Sequence, residues 1–201
     1  LAGVPALDDP VWTGPFFAPR NYVGDKVLSG NLRRVLVLPV YGGKITEPEA
    51  ASMLDPVVQA ALQRQQRFEV VALSRAECAR RFGASEYSST AALPRGFLDQ
   101  IDRYYAVDAV LFIDLTVYQP YRPQSVGFRA KLATVQDVRL VWSFDEIFSA
   151  ADPTVVNSAR RFHRQERYTT PPIDLSASVL QSPGRFAAYA ADAMFATLPP
   201  R

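Results

Sequence analysis

One cysteine and one histidine in 201 residues remove most of the catalytic and metal-binding repertoire at the outset. A lone Cys78 cannot close an intrachain disulfide or supply a cysteine-cluster metal site, and it fits either a reducing compartment or an exported protein without bridges. His163 falls on the apolar stripe of a helical pattern with no HxxxH or HxxE partner, so it reads as a packed, hydrogen-bonded side chain rather than a base or a ligand. No metal and no cofactor is expected. An excess of charge of one sign is missing too: 22 basic residues against 20 acidic ones leave a net charge of +2, too little by itself to argue for nucleic acid or an anionic membrane. No apolar run approaches the roughly 20 residues that span a bilayer. The chain starts at Leu1 rather than Met, which raises the expectation of an upstream segment that has been removed.

What is present is an ordinary globular composition, 48% hydrophobic and 21% charged, enough for one substantial core. Proline is plentiful, 16 residues in all, concentrated in the first twenty positions, around 120 to 123 and near 171 to 200. Residues 1–32 show no sustained periodicity and read as an extended arm whose Trp12, Phe16, Phe17 and Tyr22 are pinned on the surface of a single domain, residues 33–201.

The stretch from Asp108 to Ala150 reads as three successive strands. Ala109, Leu111, Ile113, Leu115 and Val117 alternate with Val110, Phe112, Asp114, Thr116 and Tyr118, the pattern of a central strand buried on both sides. After PYRPQ, Phe128, Ala130, Leu132 and Thr134 alternate with Arg129, Lys131 and Ala133, giving one apolar and one solvated face. Past a turn near Gln136 and Asp137, a third strand sets Val138, Leu140, Trp142, Phe144 and Phe148 against Arg139, Ser143 and Asp145. Such a meander needs helices over its apolar face. RVLVLPV at 34–40 and the strand at 68–73 flank a helical pattern over 47–66, where Asp55-Pro56 predicts an N-cap and a helix from about 56, with an extension upstream left open. The two flanking strands should then be parallel. Ser74 to Glu77 form a capping box for a short helix stopped by Gly83. Further helices are predicted over 96–105, from Asp152-Pro153 and from Ser182-Pro183. The fold class expected is α/β: a single mixed sheet with a parallel strand-helix-strand start and an antiparallel C-terminal meander, covered by helices.

Few constellations carry chemistry. YGGKIT after RVLVLPV lacks the glycine spacing and the hydroxyl residue of a phosphate loop, so Gly42, Gly43 and Lys44 read as a strand-to-helix turn. Asp114 needs a partner if buried, and structural pairing is favoured over function. Glu146 lies on the face of Trp142 and is expected to pair with a core-facing arginine. Arg160, Arg161, Arg164 and Arg167 form a basic face on the helix 153–167, open either to a phosphate-bearing partner or to plain solvation. Tyr118, Pro120, Tyr121 and Arg122 group aromatics and prolines in a predicted hairpin loop, either a protein contact or a stiff loop packed on its own sheet.

RRVLVLPV, RFEVV, DAVLFIDLTVY and FRAKLATVQDVRLVWSFDE together resemble the bacterial envelope lipoproteins of the CsgG, LpoB and TolB amino-terminal type. The matching features are Leu38-Pro39, Phe68 to Val71, Asp108 and Trp142, over roughly residues 33 to 165, with Gln136-Asp137-Val138 departing from the usual Thr-Gly turn. The resemblance implies a non-enzymatic, periplasmic domain, anchored at the outer membrane through a lipidated cysteine before Leu1, that binds other envelope proteins during assembly or transport. It carries over no catalytic residue. Two other classes stay open: a small nucleotide- or ligand-binding α/β protein, and a nucleic-acid module using the helix 153–167. No nucleic acid is expected as partner, and the sequence leaves both the oligomeric state and the envelope partner's identity open.

Overall fold

A computed structural model describes residues 13–43, 45, 48–165 and 182–201. Six strands form one sheet: β1 (Tyr22–Gly24), β2 (Arg34–Val37), β3 (Glu69–Ala72), β4 (Ala109–Gln119), β5 (Ser125–Thr134) and β6 (Leu140–Ser149). Their spatial order is β1-β6-β5-β4-β2-β3. β2 runs parallel to both β3 and β4, while β4, β5 and β6 form an antiparallel meander and β1 adds antiparallel to β6. The five helices among the described residues are α1 (Pro48–Arg64), α2 (Arg75–Phe82), α3 (Phe97–Tyr105), α4 (Pro153–Gln165) and α5 (Pro183–Phe195). None is long and apolar enough to cross a membrane. This is the expected α/β class with a mixed sheet, and β4 is central as its two-sided burial requires.

Two cores lie on opposite sides of the sheet. Val35, Val37, Leu111, Ile113, Phe128, Leu132, Trp142 and Phe144 face α1, α4 and α5. Leu36, Leu38, Val110 and Phe112 face α2 and α3, with Cys78, Phe97 and Ile101 between them. Buried apolar surface stabilises at roughly 25 cal/mol per Å², so residues such as Trp142 and Phe97, almost wholly removed from water, dominate each side.

Local signals explain most element ends. Ser74 Oγ accepts from the Glu77 amide at 3.2 Å, and Gly83 closes α2 at φ +89°, a left-handed conformation that glycine takes without Cβ strain. The return half of the capping box is absent, because the Glu77 carboxylate is drawn to Arg81 and to the Tyr105 hydroxyl. Asp152 Oδ1 accepts from the Thr154 amide at 2.8 Å at the start of α4, and Ser182 caps α5.

Four expectations need correction. The first helix does not begin near 56: α1 runs unbroken from Pro48 with Pro56 inside it. An internal proline costs a hydrogen bond and about 3 kcal/mol; burial of Ala50, Leu54, Val58, Ala61 and Leu62 along one stripe offsets it. Asp55 is thereby released from capping. Secondly, β4 carries a bulge between Leu115 and Val117, which turns Tyr118 onto the side opposite to that predicted, opposite Val126 and against the α1, α4 and α5 core. Thirdly, a slip between Leu132 and Ala133 leaves Leu140 49% exposed and buries Val141 next to Trp142. Lastly, Glu146 pairs with no arginine side chain among the described residues; its Oε2 accepts from the amides of Arg20 and Asn21 at 3.0 and 3.1 Å. That contact seats the arm, whose residues 22–24 form a strand at the sheet edge.

Candidate functional site

In an open α/β sheet the natural place for a small ligand is the crevice beyond the carboxyl ends of the parallel strands, where helices leave to opposite faces. Here α1 follows β2 to one side and α2 follows β3 to the other, and that crevice is filled. Arg75, the first residue of α2, donates from Nε to Asp55 Oδ2 at 2.7 Å and from Nη2 to the Val40 carbonyl at 2.6 Å, while Nη1 reaches Glu86. Asp55 Oδ1 accepts from the Val40 amide at 2.8 Å, and Glu86 Oε1 from the Gly42 amide at 3.1 Å. Burial works against the Arg75 charge, but the hydrogen bonds to Asp55 and Glu86 outweigh it and hold the guanidinium pKa above its usual value. The amides of Val40 and Gly42, which a phosphate cradle would need, are therefore committed to carboxylates. Lys44 lies outside the described residues.

The other titratable candidates are likewise tied into the fold. Asp114 is 5% exposed and accepts from the Ser89 amide at 2.7 Å, from Ser88 Oγ at 3.0 Å and from Ser89 Oγ at 2.9 Å, fastening the 84–93 loop over β4. His163 is buried with Nε2 3.0 Å from the Arg185 carbonyl, which joins α4 to α5. Cys78 is fully buried and free, and burial pushes its thiol up to about 11. Among the described residues no cluster of three or more His, Cys, Asp or Glu could hold a metal ion.

The basic face divides. Arg161 stacks on Phe16 of the arm, its guanidinium carbon 4.5 Å from the ring centre, and Arg160 is half-buried. Arg164 is also half-buried, and Arg167 lies outside the described residues. The arm is fastened alongside: the Phe17 amide donates to Ser158 Oγ at 2.9 Å, Asn157 Nδ2 to the Pro15 carbonyl at 3.2 Å, and Phe17 meets Phe148 edge-on at 5.4 Å. The predicted hairpin loop divides as well. Tyr118 belongs to β4 and packs on the core, whereas Tyr121 is 77% exposed at the tip. Gln124 braces the loop from beneath, its side-chain Nε2 donating to the Pro120 carbonyl at 3.1 Å while its backbone carbonyl accepts from the Ala150 amide. Arg122 is exposed beside Tyr121.

The most distinctive surface is one that sequence reasoning missed. The helices α2 and α3 cover only the β3-β2-β4 half of their side of the sheet; over the other half, β5, β6 and β1, no helix packs among the described residues, and the 84–93 loop reaches only β5, where Lys131 Nζ donates to the Ser89 carbonyl at 2.8 Å. A single cross-strand row shows the boundary: Phe112 on β4 is 5% exposed beneath α3, Lys131 and Ser143 follow half-buried on β5 and β6, and Val23 on β1 is 73% exposed. The next row runs Asp114, Arg129, Asp145, where Arg129 Nε and Asp145 Oδ2 pair at 2.7 Å in partial exposure. Ile147, 52% exposed, lies opposite Gly127. Nine large apolar side chains stand exposed among the described residues, and six of them (Tyr22, Val23, Val27, Val138, Leu140 and Ile147) belong to β1, β6 or the turns beside them. Scattered exposed apolar residues are normal; Tyr22 is in register with Phe144 on the helix-covered side, whereas Val23, Leu140 and Ile147 stand together on the uncovered one, and that grouping marks a contact site.

No family model matches the chain, and no curated protein is significantly similar to it in sequence. Its fold is shared with solved structures. The PelC dodecamer from Paraburkholderia phytofirmans is 12% identical, with a TM-score of 0.51 over 90% of this chain and 96% of that one. A lipoprotein of Neisseria meningitidis is 16% identical with a TM-score of 0.48, covering 68% of this chain and 99% of its own. A Xanthomonas campestris protein of family model DUF330 is 14% identical with a TM-score of 0.40, over 88% and 90%.

Proposed function

We propose that this chain is a non-enzymatic binding domain of the bacterial cell envelope, a periplasmic lipoprotein held at the outer membrane, that recognises other envelope proteins in assembly or transport. The observation that carries the binding role is the uncovered β5-β6-β1 half-sheet with its exposed Val23, Leu140 and Ile147. Tyr121 at the nearby hairpin tip, backed by Pro120 and Arg122, adds a stiff aromatic anchor of the kind that dominates protein interfaces. The envelope location is supported by the sequence resemblance to the CsgG, LpoB and TolB amino-terminal type. Against the nucleotide-binding alternative stands Arg75, which occupies the crevice where an α/β sheet takes a small ligand. Against a nucleic-acid role stands the use of Arg161 to hold the arm.

The test is affinity capture from a native envelope extract, run beside a thermal-shift screen with nucleotides and oligonucleotides. A protein partner that is lost on Ile147→Arg or Tyr121→Ala, with no stabilisation by nucleotides, supports the proposal. Saturable stabilisation by a small molecule or an oligonucleotide, with no protein captured, overturns it.

A further inference from the structure

A cleft of about 190 Å³ opens at the surface between α4 and α5, with Phe16 of the arm as one wall. Its sides are aromatic: Phe16, Phe162 and Tyr189 all line it, and the Phe162 and Tyr189 ring centres lie 6.2 Å apart at an interplanar angle of 57°. Arg161, also on the wall, has its guanidinium carbon 4.5 Å from the Phe16 ring centre. Tyr189 is 4% exposed, and its hydroxyl has no hydrogen-bond partner among the described residues. We propose that this cleft receives a tyrosine side chain of a partner protein, its ring against Phe162 and Arg161 and its phenol oxygen accepting a hydrogen bond from Tyr189.

Tyr189 supplies the signal that points to a ligand. A buried hydroxyl without a partner is costly, and native folds rarely leave one. Ser158 is its polar neighbour, but Ser158 Oγ accepts the Phe17 amide at 2.9 Å and stands outside hydrogen-bonding geometry with the Tyr189 hydroxyl. Burial pushes that hydroxyl up to about 12, so at neutral pH it keeps its proton and with it the capacity to donate. What the cleft calls for is an acceptor.

Charge and size narrow the choice to a neutral ring. An incoming lysine or arginine would meet Arg161, and a carboxylate would meet Asp192, which is itself paired with Arg64 at 3.3 Å. Aromatic rings and a guanidinium are the groups that hold an aromatic side chain by its face. Small-molecule sites begin at roughly 300 Å³, whereas this cleft has room for one side chain. Phenylalanine would fill the same space but leave the Tyr189 hydroxyl unpaired, and tryptophan brings a donor where an acceptor is needed.

This is a second contact site, on the helix-covered side of the sheet and apart from the uncovered face of β5, β6 and β1. It rests on the reading of the chain as a protein-binding domain, though not on the half-sheet as the place of binding. A single side chain in one cleft binds weakly, in the millimolar range; within a larger interface a buried tyrosine of this kind is an anchor.

The experiment is an NMR titration of the isotope-labelled full chain with N-acetyl-tyrosinamide, N-acetyl-phenylalaninamide and p-cresol. It is run on the parent and on Tyr189→Phe, Ala193→Met and Ile147→Arg, with thermal melts to establish that each is folded. The expected result for the parent is saturable binding of the tyrosine amide with shifts on α4 and α5, about fivefold tighter than the phenylalanine amide. Tyr189→Phe should abolish that preference and leave the affinity for the phenylalanine amide within about twofold, which a purely structural role of the hydroxyl would not produce. Ala193 lines the cleft half-buried, so Ala193→Met should narrow it and weaken both amides at least fivefold, while Ile147→Arg changes neither. Absence of saturable binding, equal affinity of the parent for the two amides, or a preference that survives Tyr189→Phe overturns the proposal. Binding of p-cresol without the tyrosine amide overturns it too, since the cleft then takes free phenols and not a protein side chain. If the parent captures an envelope protein that Ile147→Arg loses, yet binds neither amide, the cleft assignment fails and the binding role stands. If the amides behave as expected and no protein is captured, the cleft is a phenol site and its assignment to a partner protein fails.

Discussion

Arg75 Nε lies 2.7 Å from Asp55 Oδ2, and this contact joins the first residue of α2 to the middle of α1 across the carboxyl end of the parallel strands. The pair is mostly buried, with 24% and 18% of the two side chains exposed. It locks the loop after β2 through the Val40 backbone and leaves no open crevice at that point.

Replacing Arg75 by Met should destabilise the domain by about 3 kcal/mol, since it strands two carboxylates, Asp55 and Glu86, without their cation. Arg75→Lys should recover only part of the loss, because an ammonium cannot make the forked contacts to Asp55, Glu86 and Val40 together. Urea unfolding of the three proteins checks both statements; an Arg75→Met protein as stable as the parent would contradict them.

Cys78 provides a pH test. Its thiol is pushed from 9.0 up to about 11 by burial, so the folded state holds the proton more tightly than the unfolded state. A group whose folded pKa is raised contributes stability that is complete below the unfolded value and fades as pH rises through the folded one. Stability should thus fall between about pH 9 and pH 11, and Cys78→Ser should flatten that part of the profile. Native protein at pH 8 should react with a thiol reagent only as fast as it opens. Immediate stoichiometric labelling would refute the burial.

The β5–β6 hairpin contains a strained residue. Val138 sits at φ +50° and is 65% exposed, a left-handed conformation that costs an ordinary L-residue about 1–2 kcal/mol and a β-branched one more. Val138→Gly should raise stability by about 0.5–1 kcal/mol, the relief being partly cancelled by the freer unfolded chain. A lower melting temperature in Val138→Gly would show that the valine is held there by packing.

Asp114→Asn tests the loop tie. The amide group would point a donor where Ser88 and Ser89 already donate, at a cost of about 2 kcal/mol. Hydrogen exchange should speed up in residues 84–93 and leave β5 and β6 unchanged.

The sequence revealed what depends on local periodicity and concealed what depends on topology. Alternation through β4 and β5 and the caps at Ser74, Asp152 and Ser182 were legible because each is a local choice with a side-chain signature. The bulge at Thr116 and the slip beside Ala133 carry no such signature, yet they turned Tyr118 inward and Leu140 outward and so exchanged a nominated contact residue for an overlooked one. Three residues of β1 are too few to show a period. Ile147 and Val23 looked ordinary in sequence because their exposure follows from where α2 and α3 land, and both helices settle over β2 and β4.

The most direct test of the binding account is photocrosslinking in living cells from a reactive residue placed at position 147, with the same residue at position 53 as control. Met53 is 55% exposed on α1, on the other side of the sheet, so it is equally accessible but remote from the uncovered face. The account predicts a discrete protein adduct from position 147, of a second copy or of another envelope protein, and none from position 53. No adduct from position 147, or the same adducts from both positions, would contradict it.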